Sequence, residues 1–90
     1  MAAKQAFYSG KVQGIGFRYT VKRLASGFEV TGWVKNLPDG RVELQAMSHD
    51  NEELEAFLDD IMQSSLGGNI KEVETKTIPP LANVRGFSIL

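Results

Sequence analysis

The chain has no cysteine, a single histidine and three prolines in 90 residues. The absence of cysteine excludes disulfides, thiolate metal sites and cysteine nucleophiles together, and fits a reducing compartment. The one histidine, His49, stands just before a helical segment and reads as a solvent-exposed helix entry, not a catalytic base. No apolar run approaches the roughly 20 residues that a membrane helix needs, so no membrane partner is expected. Met1-Ala2-Ala3-Lys4 leads straight into a strand-like pattern without the features of a signal peptide. A cytoplasmic protein is the default expectation, and a monomer the default at this size.

An excess of either sign of charge is also lacking, with ten basic and eleven acidic residues giving a net charge of −1. That balance argues against a duplex nucleic-acid binder, which shows a strongly basic face. The charge is unevenly spread, however. Lys11, Arg18, Lys22, Arg23, Lys35 and Arg41 fall in one segment against only Glu29 and Asp39. The following stretch holds Asp50, Glu52, Glu53, Glu55, Asp59 and Asp60 without a Lys or Arg. The first half therefore favours an anionic ligand, and the acids of the second read as a solvated helix face.

Hydrophobic residues are 42% and charged residues 23%, the balance of an ordinary globular chain. Residues 1–90 are too few for a second core and are read as one domain.

The periodicity predicts alternating element types. Ala6 to Val12 reads as a first strand, and Gln13-Gly14-Ile15-Gly16 as a turn. Phe17, Val21, Leu24 and Ala25 recur at helical spacing, placing a helix from Phe17 to about Ser26 with Gly27 as its stop signal. Val30 to Lys35 is a second strand, Leu37-Pro38-Asp39-Gly40 a tight turn, and Arg41 to Ala46 an antiparallel third strand. Asp50 and Glu53 resemble a capping box ahead of the stripe Leu54, Phe57, Leu58 and Ile61. Leu66 to Asn69 breaks that helix, Ile70 to Ile78 is a fourth strand ended by Pro79-Pro80, and Gly86 to Leu90 is a short last strand of open pairing. The order β-α-β-β-α-β with a short terminal strand predicts an α+β, ferredoxin-like α/β sandwich. Its antiparallel sheet has four or five strands and both helices lie on one face. Fold alone names no function.

The chemistry concentrates between Gly10 and Arg18. A strand, a glycine-containing turn and the first turn of a helix place unpartnered N–H groups and the positive end of a helix dipole together. Gly14 and Gly16 let the backbone curl without a Cβ in the way, and Arg18 adds a planar fork matched to two phosphate oxygens. The result is an anion site suited to a phosphoryl group. The common nucleotide motifs do not match: no Gly-Lys-Ser/Thr follows the turn, and the glycine spacing is not G-x-G-x-x-G.

A second element, Gly32-Trp33-Val34-Lys35-Asn36-Leu37-Pro38-Asp39-Gly40-Arg41-Val42-Glu43, completes the pattern. Together the two segments closely resemble the acylphosphatase family, whose signatures read G-x-V-Q-G-V-x-F-R and G-W-V-x-N-x-x-D-G-x-V-E. The first is met with Ile15 for the usual Val, and the second without a mismatch. The 18-position spacing from Arg18 to Asn36 also suits the family. The resemblance implies that backbone amides of Gln13, Gly14, Ile15, Gly16 and Phe17, with Arg18, hold the phosphoryl oxygens. It implies that Asn36 orients the attacking water, and that an acyl phosphate is split to a carboxylate and inorganic phosphate.

The residue inventory suits that chemistry without a cofactor or metal. A carboxylate leaving group has a pKa of about 4 and departs without a general acid, and the attacking water can give its proton to a phosphate oxygen of the substrate. Positioning and charge stabilisation remain, the work of an Asn, an Arg and an amide nest.

Departures from the family are few. Phe28-Glu29-Val30 stands where Leu-Gly-Leu is usual, with Gly27 two residues earlier, so the end of the first helix is expected to differ. Leu37 replaces a hydroxyl residue found in some members. Trp33 and Phe17 are expected in the core or the pocket wall, and Tyr19 and Thr20 stand beside Arg18 with no feature to place them. An RNA-recognition module shares the element order but carries stacking aromatics on its third strand. Arg41 to Ala46 has none, and Glu43 would repel phosphate. A phosphate-binding regulatory domain of the same fold is the other alternative; retention of both Arg18 and Asn36 argues against it.

Overall fold

A computed structural model describes residues 1–90. The elements are β1 (Ala2–Gly10), α1 (Phe17–Ala25), β2 (Thr31–Asn36), β3 (Val42–Ser48), α2 (Asn51–Gln63), a 3-10 turn (Ser65–Asn69), β4 (Ile70–Ile78) and β5 (Phe87–Ile89). The five strands form one sheet in the order β4-β1-β3-β2-β5. The first four pair antiparallel, and β5 lies parallel to β2 with Gly32 opposite Phe87 and Val34 opposite Ile89. The ferredoxin-like arrangement is thus present, and β5 takes the edge that the sequence left open. No helix is long and apolar enough to cross a membrane.

The core lies between the sheet and both helices. Ala6 and Tyr8 of β1, Val34 of β2, and Val42, Leu44 and Ala46 of β3 all point to the helical side, as the two-residue period of a strand requires. They meet Phe17, Val21 and Ala25 of α1 and Leu54, Phe57, Leu58 and Ile61 of α2. Phe57 sits between Phe28 and Phe87, with ring centroids 5.8 and 5.7 Å away, so α2 clamps the entry to β2 and the last strand together. Leu66 of the 3-10 turn is buried in the same cluster.

Several boundaries differ from the sequence expectation for physical reasons. β1 begins at Ala2, not Ala6, and ends at Gly10, not Val12. Ala-Ala-Lys-Gln has little strand propensity, but Ala2 to Gln5 pair with β3, and Ala3 onward with β4 as well, and tertiary pairing decides. A register shift between Ser9 and Gly10 ends the strand and frees the chain for the following loop. Gly27 is not a left-handed stop: Ser26 is the helix C-cap in the right-handed region, and the last carbonyls accept i→i+3 bonds from Ser26, Gly27 and Phe28. Asp50 does cap α2, accepting from the Glu52 amide at 2.9 Å, but the reciprocal half of the capping box is missing. The Glu53 carboxylate instead accepts from the Glu29 amide at 3.0 Å, and the Asp50 amide donates to Ser48 Oγ. The residue that departs from the family pattern is thus held by α2 through its backbone. Among the acids of α2, Glu55 pairs with Lys4.

Candidate active site

The β1–α1 loop folds as a shallow cradle. Gly14 and Gly16 both adopt φ = 78°, a left-handed conformation that side-chain-bearing residues rarely adopt. A Cβ at either would meet no atom within 4 Å, so the turn is required by backbone conformation beside open space. Gly16 is the N-cap of α1 and supplies no side-chain cap, and the first helical turn holds no acid. The first intrahelical bond is Thr20 N–H to Gly16 O at 2.9 Å, which leaves the amides of Phe17, Arg18 and Tyr19 without a partner. The amides of Gln13, Gly14, Ile15 and Gly16 also donate no bond within the chain. A run of free N–H groups at a helix N-terminus attracts anions through its dipoles.

The loop is anchored from both sides. Phe17 is buried against Tyr8 with ring centroids 5.3 Å apart, fixing the start of α1 on the sheet. Burial in that apolar contact raises the Tyr8 phenol above its ordinary pKa of 10.0. The Gln13 side chain donates to the carbonyls of Leu37 and Arg41 at 2.8 and 2.9 Å, stapling the cradle to the β2–β3 turn. The sequence reading gave Gln13 only a backbone amide; its side-chain role has no local signal, because both acceptors are main-chain atoms 24 and 28 positions away. The turn itself is closed by Leu37 N–H to Arg41 O and by the Asp39 carboxylate, which accepts from the Arg41 amide and guanidinium. The Arg41 amide and, second to it, the guanidinium hold the Asp39 carboxyl below the usual range.

Asn36 is the last residue of β2, opposite Val42, on the helical side of the sheet like Val34. It lines one cleft together with Val12, Gly14, Gly16, Phe17, Arg18 and Tyr19. Its Oδ1 is buried and has no hydrogen-bond partner. A buried amide oxygen left unpaired costs about 1–3 kcal/mol and calls for an explanation. Arg18 is half-buried, and its Nη1 donates to the main-chain oxygen of Leu90, the residue after β5, at 2.9 Å. No carboxylate, histidine or cysteine lines the cleft.

The two signature segments therefore converge: Gly14, Gly16, Phe17, Arg18 and Asn36 share one cleft. Tyr19 joins them, and Thr20 is not among the lining residues. Trp33 is a correction. It is neither core nor cleft wall; the strand period turns it to the open face of the sheet, where Lys35 Nζ lies 5.3 Å from its ring centre. His49 is exposed, as read from its place before α2.

A cradle of free amides at a helix N-terminus, an arginine and an asparagine with an unpaired oxygen thus share one cleft on a ferredoxin-like sheet. Comparison with known proteins gives the family. The acylphosphatase family model matches residues 4–89. An acylphosphatase of Pediococcus pentosaceus is 49% identical over 72 residues, covering 79% of each chain. One of Archaeoglobus fulgidus is 42% identical over 89 residues, covering 99% of this chain and 83% of the other. The crystal structure of acylphosphatase from Bacillus subtilis superposes with a TM-score of 0.88 at 33% identity, covering 100% of this chain and 99% of that one. The chain belongs to the acylphosphatase family of enzymes.

Proposed function

We propose that the protein hydrolyses the carboxyl–phosphate bond of small acyl phosphates, giving a carboxylate and inorganic phosphate. The observation that carries this reading is the buried, unpartnered Oδ1 of Asn36 in the same cleft as Arg18 and the free loop amides. An acceptor so placed takes a hydrogen from water and turns the water's lone pair toward phosphorus. The loop amides from Gln13 to Phe17 and the Arg18 guanidinium hold the three outer oxygens as charge spreads over them. The water's proton passes to a phosphoryl oxygen, the P–O bond to the acyl oxygen breaks, and the carboxylate leaves without an acid because its pKa is near 4.

The reaction so written needs no metal, because Arg18 and the amides supply the positive charge and the leaving group needs no protonation. Residues 1–90 act as one unit in this reading, consistent with one sheet and one core. A monomeric, cytoplasmic enzyme with a small-molecule substrate and no nucleic-acid partner fits the near-neutral charge and the lack of cysteine. The test is hydrolysis of benzoyl and acetyl phosphate by the purified, folded protein in excess chelator. Turnover well above the buffer rate is expected. Folded protein with no turnover of either compound overturns the reading.

A further inference from the structure

Six large hydrophobic side chains are substantially exposed: Met1, Ile15, Tyr19, Val73, Ile89 and Leu90. Exposed apolar residues scattered singly need no explanation, but three of these fall at the cleft. Tyr19 and Ile89 line the cleft, and Ile15 stands in the loop between its two lining glycines. Tyr19 is 68% exposed on the first turn of α1 and contributes nothing to the core. Ile15 and Ile89 are each 39% exposed. A polar phosphoryl cradle therefore carries an apolar rim, the combination that orients a ligand with one charged and one apolar end.

We propose that Tyr19, which shares the cleft lining with Ile89, is the subsite for the acyl group, and that the protein selects acyl phosphates with a bulky apolar, preferably aromatic, acyl part. This rests on the hydrolase reading above. The cradle touches only phosphoryl oxygens and is blind to the acyl group. In-line displacement places the leaving oxygen opposite the water held by Asn36, so the acyl group projects out of the cradle to the mouth of the cleft. A phenol ring there offers an offset or edge-on contact to an aromatic acyl group. That contact is the same before and during P–O cleavage, so it acts on KM and not on kcat.

The experiment compares kcat/KM for benzoyl and acetyl phosphate in the wild type, Tyr19→Ser, Tyr19→Phe and Val73→Ser. The wild type is expected to prefer benzoyl phosphate. Tyr19→Ser is expected to reduce the benzoyl-to-acetyl ratio about tenfold through KM, the scale of a small apolar contact. Tyr19→Phe keeps the ratio, which assigns the effect to the ring and not the hydroxyl. Val73→Ser, on edge strand β4 opposite Tyr8 and away from the rim, matches the wild type. An unchanged ratio in Tyr19→Ser, or equal losses on both substrates, overturns the subsite while leaving the hydrolase reading intact. A folded wild type that hydrolyses neither compound overturns that reading, and the subsite with it.

Discussion

Two buried polar groups sit on adjacent rungs of the β2–β3 ladder and are treated in opposite ways. Glu43, opposite Lys35 on the open face of the sheet, is only 8% exposed. Its Oε2 accepts from Gln5 and Gln45 at 2.7 and 3.1 Å, and Lys35 Nζ lies 3.9 Å from its other oxygen. Asn36, one residue further on and facing the helices, has a buried oxygen with no partner at all. The chain satisfies the first group and leaves the second open, as the proposed reaction requires of a group that meets a ligand. Conflict between a local rule and the observed structure marks function.

The glycines repeat the lesson. A Cβ on Gly32 would lie 2.0 Å from Gln45 O, so that glycine is required by packing of the sheet. Gly14 and Gly16 meet nothing, so theirs is required by the shape of a loop that borders empty space.

The comparison can be broken most forcefully at the cradle. Arg18→Ala is expected to weaken inhibition by inorganic phosphate and to lower kcat/KM by at least ~10²-fold, the scale of one lost oxyanion donor; steady-state kinetics with phosphate as inhibitor measures both. On the satisfied side the expected effect is on stability. Glu43→Leu strips the acceptor from two donors and removes the charge beside Lys35, and should cost about 1–3 kcal/mol in urea unfolding, with turnover unchanged. The smallest effect concerns Tyr8, whose phenol keeps its proton more tightly folded than unfolded. Its contribution is fully present below the ordinary value of 10.0 and is lost as pH rises above it, because only the unfolded chain sheds the proton. The loss should approach ~1.4 kcal/mol per pH unit, and Tyr8→Phe should flatten that part of the alkaline stability curve.

Much of the fold was legible because each element carries its own period. The stripe of α2, the Leu37–Gly40 turn and the bounds of β4 follow from residues a few positions apart. What escaped depends on distant partners. β1 starts at Ala2 because β3 and β4 pair there, and Glu53 leaves the capping box because the Glu29 amide is within reach. The parallel docking of β5 beside β2 and the Gln13 staple are likewise long-range. Trp33 was misplaced because a motif names the residue and not the face it takes. For the site, Arg18 and the glycines had a local physical rationale, whereas the role of Asn36 came from family resemblance, and its unpaired oxygen became visible only with the chain folded.

The contrast between Glu43 and Asn36 makes the water-positioning role of Asn36 the central claim. The most direct measurement is kcat of Asn36→Ala on benzoyl phosphate, together with its inhibition constant for inorganic phosphate. The account predicts a fall in kcat of about 10²-fold, the scale of a misplaced reactant, with phosphate inhibition kept within a few-fold because Arg18 and the loop amides are untouched. Full turnover in Asn36→Ala would contradict it.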